Sequence, residues 1–182
     1  MSRCSIGVIA LSLAASACGG GSGTAGTEET PASSASAEPA SAPGLNPCEL
    51  LTSEQVDSVL SGHDEGFVAK SGGSLIEGVD SYQCSYSNDA GDLFTVVVHI
   101  AADATRFEEI EPSPSTARMI HGDSFREVSV GDQGWVAGEP DDMKLTAIRG
   151  HAVIELELMS ETAGEKGVAL ARLGSAIADR FD

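Results

Sequence analysis

Residues 46–182 predict an α+β fold: a mostly antiparallel sheet packed by an N-terminal and a C-terminal helix. Three observations carry that class. Apolar and polar residues alternate with a period of two in several runs between Tyr82 and Met159. Short clusters of Gly, Asn and Asp separate most of those runs, as hairpin turns do. At the two ends the apolar spacing changes to the three-and-four step of an amphipathic helix. Hairpin-joined strands with helices at the ends make an α+β arrangement; an alternating βαβ pattern is absent.

The elements follow in chain order. Leu51-Thr52-Ser53-Glu54-Gln55-Val56 is a helix start, with Thr52 as N-cap, Gln55 as its capping-box partner and Leu51 stapled onto Val56. Val56, Val59 and Leu60 form one apolar stripe, and Gly62 ends the helix. Residues 63–79 are Gly-rich and mixed, a strand or a loop. Residues 82–87 and 93–101 are predicted strands around the turn Asn88-Asp89-Ala90-Gly91-Asp92. In the second of these, Phe94, Val96, Val98 and Ile100 share one face, with Thr95 and His99 on the other. Asp103 caps a short helix through Ile110, which Pro112 and Pro114 bring to a stop. Residues 125–130 and 135–137 are short strands around Gly131-Asp132-Gln133-Gly134. Residues 145–149 and 152–159 form a hairpin turning at Arg149-Gly150-His151, with Ile154, Leu156 and Leu158 inside and Glu155 and Glu157 outside. A final helix over 166–181 carries the stripe Leu170, Leu173, Ile177, Phe181.

Ahead of this domain the chain reads as an address. Residues 1–17 have the layout of a signal peptide: Arg3, then an apolar run over 6–15 that is too short to span a bilayer. Ala15-Ser16-Ala17 then precedes Cys18, which resembles the bacterial lipobox, where diacylglycerol is attached to the cysteine thiol. The same three residues satisfy the plain A-x-A cleavage rule, which would leave Cys18 a free thiol. The cysteine directly after the cleavage point and the Gly-rich start favour lipidation. Cys4 falls in the discarded peptide. Residues 18–45 are the lipidated cysteine and a Gly, Ser, Ala, Thr, Pro and Glu tether with no large apolar residue before Leu45. About 27 flexible residues reach roughly 30 Å. The expected location is the cell membrane, lipid-anchored on its extracytoplasmic face.

Composition narrows the function. With 28 acidic and 10 basic residues the formal net charge is −18, so the surface repels phosphate backbones and nucleic acid is excluded as a partner. No nucleophile elbow, HExxH, EF-hand loop or phosphate loop is present. His63, His99, His121 and His151 are scattered. Asp123, Asp132, Glu139, Asp141 and Asp142 form an acidic stretch without the alternating-oxygen spacing of a calcium loop, and read as solvated. Trp135, the lone tryptophan, reads as a core anchor before a binding-site aromatic, because aromatics are only 4% of the chain. No metal or cofactor is expected. Two functions stay open. One is a non-catalytic module that binds an envelope protein, peptidoglycan or lipid. The other is a hydrolase-like envelope enzyme with no local motif, assembled around Asp132, Trp135 and His151 if those turns meet.

Cys48 and Cys84 remain, and an exported chain should bond them. Closing a loop of about 37 residues contributes roughly 4 kcal/mol on chain-entropy grounds. Pro47-Cys48-Glu49-Leu50-Leu51-Thr52, Cys84 before an alternating strand, the Gly131-Asp132 turn and the hairpin-plus-helix ending together resemble a known family. It is that of actinobacterial envelope lipoproteins carrying an uncharacterised P-C-x-L-L-T type domain. The resemblance implies a fold, a disulfide and an envelope location, and no chemistry. By looser analogy the element order suits a PsbP-like sandwich, a fold used by several envelope binding lipoproteins.

Overall fold

The structure, a computed structural model, describes residues 44–69 and 76–181. The expected signal peptide, Cys18 and all but the last residues of the expected tether lie outside the described residues.

The chain enters through a 3-10 turn, Pro47–Glu49, where the Asn46 side chain accepts from the Cys48 amide at 3.1 Å. Thr52 then caps helix α1 (Ser53–Asp57). Both halves of the capping box form: the Gln55 amide donates to Thr52 Oγ1 at 3.2 Å and the Thr52 amide to Gln55 Oε1 at 2.8 Å. The helix stops at Asp57, short of the expected end, and Gly62 turns the chain further on with φ +67°. The apolar stripe is kept all the same, since Val56, Val59 and Leu60 are buried.

Among the described residues seven strands follow: β1 (Phe67–Ala69), β2 (Val79–Ser87), β3 (Leu93–Ala101), β4 (Arg126–Glu127), β5 (Gln133–Glu139), β6 (Asp142–Arg149) and β7 (Ala152–Met159). They make one sheet in the order β1-β2-β3-β7-β6-β5-β4, and every pairing of adjacent strands is antiparallel. Two meanders are therefore visible, β1 to β3 and β4 to β7, joined where β3 lies beside β7. That junction runs from Leu93 opposite Met159 to Ile100 opposite Ala152.

Register sorts the residues by face, since side chains alternate along each strand. One face carries Cys84, Tyr86, Phe94, Val96, Val98, Leu145, Ala147, Ile154, Leu156 and Leu158, all buried. Leu170, Leu173 and Ile177 of helix α4 (Gly167–Ala178) join the same core cluster, as do Leu50, Leu51, Val56, Val59 and Leu60 from the N-terminal segment. Gly174 sets how closely α4 approaches β6, because a Cβ there would come within 2.6 Å of Leu145 Cδ2. The fold is thus α+β, mostly sheet, with the expected C-terminal helix.

Two departures from the sequence reading have clear causes. The segment after Pro112 does not stop; it forms a further helix, α3 (Pro114–His121), behind α2 (Ala104–Ile110). Ser113 caps it by accepting from the Thr116 amide at 3.3 Å, and Pro114 occupies the first turn, where its missing N–H has no partner to lose. The strand expected over 125–130 shrinks to Arg126–Glu127. The Val128 amide still reaches Gly134 O at 3.0 Å, but the chain then reverses at Gly131 (φ +63°) and the Asp132 amide bonds Ile148 O at 2.7 Å. A Cβ on Gly131 would sit 2.2 Å from Ile148 O, so the close approach of backbone to backbone requires glycine.

Candidate functional site

The second face of the sheet is only partly covered. Trp135 and Ala137 of β5 and Lys144 and Thr146 of β6 share that face, and α3 stands over them. Trp135 is 4% exposed and stacks on Phe125, ring centroids 6.4 Å apart. Arg118 pins α3 at this end: its guanidinium lies 4.9 Å over the Phe125 ring and bonds Glu127 Oε1 at 2.5 Å. Yet neither α2 nor α3 buries a single residue. Between α3 and the sheet runs a cleft of about 290 Å³, lined by Thr116, Ala117, Ile120 and His121 of the helix and by the four sheet residues above, with Pro112 and Ser113 at one end. Ile120, 67% exposed, gives its lip an apolar, solvent-facing edge.

A polar strip continues across the same face. Lys144 Nζ bonds Glu155 Oε1 at 2.8 Å, Glu155 Oε2 lies 4.0 Å from His99 Nε2, and His99 Nδ1 is 2.8 Å from Ser81 Oγ. This is a serine, histidine and carboxylate in sequence over β2, β3 and β7. Its geometry differs from a nucleophilic triad: Glu155 is beyond hydrogen-bond distance of the imidazole, and Ser81 lies within a regular strand instead of on a sharp turn.

A second cleft, of about 390 Å³, lies beside the Cys48–Cys84 disulfide, whose Cα atoms are 5.2 Å apart. Tyr86 OH donates to Cys48 O at 3.1 Å, and burial pushes the phenol's pKa up. His63 closes the cleft. Its Nε2 is 3.2 Å from Ser53 Oγ, its Nδ1 is 2.5 Å from Asp64 O, and its ring meets Tyr86 edge-on at 5.6 Å. The contacts tie α1 to the chain that leads into β1. Asp64 finishes that tie, since its Oδ2 accepts from Ser87 Oγ at 2.7 Å and its Oδ1 from the amides of Gly66 and Ser87.

The Ser87 hydroxyl is the main reason that the Asp64 pKa falls below its ordinary 3.8. A carboxylate with a depressed folded-state pKa stabilises the fold above the unfolded value and loses that contribution as pH falls through the folded value. Ser87→Ala should therefore raise the Asp64 pKa, and its acid unfolding limb should begin at higher pH than in the parent. Carboxyl-carbon NMR titration reads the first effect directly, and an unchanged Asp64 titration in the variant would refute the assignment.

A third cleft, of about 410 Å³, opens between the start of α4 and the β5–β6 turn, with Glu139, Glu161 and Glu165 on its walls. Among the described residues no three His, Cys, Asp or Glu side chains gather as a metal-binding group, and no helix is long and apolar enough to cross a membrane.

With this geometry in hand, a family model described as "Protein of unknown function (DUF3558)" matches residues 13–160. The chain belongs to the DUF3558 family. The match spans all seven strands and ends before α4. No curated protein and no solved structure matches the chain.

The residues singled out from the DUF3558 sequence do not converge. Asp132 is drawn to the β6–β7 turn, where its Oδ2 accepts from the Gly150 amide at 2.8 Å and its Oδ1 from Arg149 at 2.9 Å. Those bonds, the Gly150 amide foremost, hold its carboxyl below the ordinary pKa. The Asp132 carboxylate is thus occupied in closing a turn. His151 stacks on Phe107 of α2 at 5.9 Å, and Trp135 on Phe125. Three separate packing roles result. Trp135 is buried, as expected of an anchor, but on the second face and not in the main core. The sequence reading missed the α3 cleft; its one local signal was Ser113-Pro114, a cap followed by a first-turn proline.

Proposed function

We propose that this DUF3558 protein is a lipid-anchored lipoprotein of the actinobacterial envelope, held by Cys18 on the extracytoplasmic face of the membrane, whose domain binds and does not catalyse. One observation carries the reading: helix α3, which buries no residue of its own, roofs a cleft floored by a buried tryptophan. A fold gains little stability from elements of that kind, whereas a recognition surface gains an adaptable wall. A tether of roughly 30 Å would keep the domain near partners in the same envelope and raise their effective concentration.

A second reading rests on Ser81 Oγ and His99 Nδ1 at 2.8 Å, the nearest approach to a hydrolytic pair on the open face. Cross-linking in the living envelope, paired with an ester, amide and glycoside hydrolysis screen of the purified protein, separates the two. The expected outcome is a cross-linked partner that Ile120→Asp abolishes, with no turnover in the screen. Turnover removed by Ser81→Ala would overturn the binding reading. Cys18→Ala should move the protein out of the detergent phase, and unchanged partitioning would refute the anchor.

A further inference from the structure

We infer that the cleft beneath α3 takes a small anionic amphiphile, a ligand with one apolar chain and a carboxylate or phosphate head. The inference rests on the binding-module reading and adds to it the chemistry of the ligand. The chain carries 28 acidic residues, and both other clefts are edged by them: Asp64 and Glu65 in one, Glu139, Glu161 and Glu165 in the other. The α3 cleft has no carboxylate in its lining, and its ionisable groups are Lys144 and His121. An anion placed there meets no carboxylate in the cleft wall and shares the Lys144 ammonium with Glu155, whereas the other two clefts would oppose it with their own carboxylates. Lys144 spends one hydrogen bond on Glu155, and an ammonium has three donors. The hydroxyls of Ser113, Thr116 and Thr146 line the same space and can donate to a head group.

The apolar half is equally defined. Ala117, Ile120, Trp135 and Ala137 face the cleft, and Ile120 is largely exposed at its edge. The volume of about 290 Å³ stands at the lower end of small-molecule sites, roughly 300 to 1,000 Å³, which suits one short chain and not a folded partner.

The lone tryptophan makes the test direct, because Trp135 emission reports from the cleft itself. The full mature protein is titrated with decanoate and, separately, with decyltrimethylammonium, both below micelle formation. The strongly negative chain favours the cation everywhere on a featureless surface, so preference for the anion isolates the cleft. Decanoate should shift the emission saturably and bind roughly tenfold more tightly than the cation. Lys144→Met should weaken decanoate by roughly tenfold with unchanged circular dichroism, and Ala117→Met should weaken it by filling the space. Equal or tighter binding of the cation, or indifference to both substitutions, overturns the inference. If decanoate leaves Trp135 unaffected while a cross-linked partner is still captured through α3, the ligand assignment fails and the binding-module reading stands. Turnover in the hydrolase screen removes the binding-module reading whatever decanoate does.

Discussion

Reduction of the Cys48–Cys84 bond lowers the melting temperature by roughly 10 to 15 °C. The bond spans 36 positions, and releasing a loop of that length returns about 4 kcal/mol of chain entropy to the unfolded state. The native geometry adds to the effect. Cys84 is fully buried in β2, between Val68 of β1 and Val96 of β3, and Cys48 sits in the turn that brings Leu50 and Leu51 onto the core. Without the bond, the N-terminal segment is held by its apolar contacts, by Tyr86 OH on Cys48 O and by the His63 and Asp64 ties. Thermal melts with and without reductant, read beside a free-thiol count, give the answer. An oxidised protein with two reactive thiols, or a midpoint unmoved by reduction, would refute the structural role.

Phe94→Ala should cost about 3 to 5 kcal/mol, a large share of the stability of a domain of this size. Phe94 is fully buried, stacks on Tyr86 at 6.0 Å and lies opposite Leu158 where the two meanders meet. Removing it opens a void at the one place where both halves of the sheet depend on each other. The same substitution at Phe107, half-buried on α2 against His151, should cost about 1 kcal/mol, since no buried volume is vacated. Urea unfolding of the two variants at unchanged m-value makes the comparison. Similar losses for both would contradict the account of α2 and α3 as elements outside the core.

Where local chemistry decides structure, the sequence was readable. Strand β3 begins and ends where expected, at Leu93 and Ala101, because Asn88 closes the preceding turn with its own side chain, bonding the amides of Ala90 and Asp92 at 3.0 Å. The capping box at Thr52, the Asp103 cap of α2 and the strand Ala152–Met159 are likewise set by neighbours a few positions away. Proline was ambiguous for a physical reason. The missing N–H that ends one helix at Pro112 does no harm at Pro114, where a new helix starts. Asp132 looked chemical because it stands in a glycine turn, and its bonds to Arg149 and Gly150 exist only once β5 and β6 are paired. The α3 cleft was least legible of all. It arises from laying residues 114–121 over residues 135–146, and no short-range pattern encodes that docking.

The helix pair that buries nothing also makes up most of the connection between the two meanders, from the end of β3 at Ala101 to the start of β4 at Arg126. Cohesion between the halves comes instead from the seam where Phe94, Val96 and Val98 oppose Leu158, Leu156 and Ile154. The disulfide adds nothing to that seam, because Cys48 and Cys84 both lie in the first half. A cut between α2 and α3 would cross no buried residue and would leave two sets of hairpins still facing each other along β3 and β7.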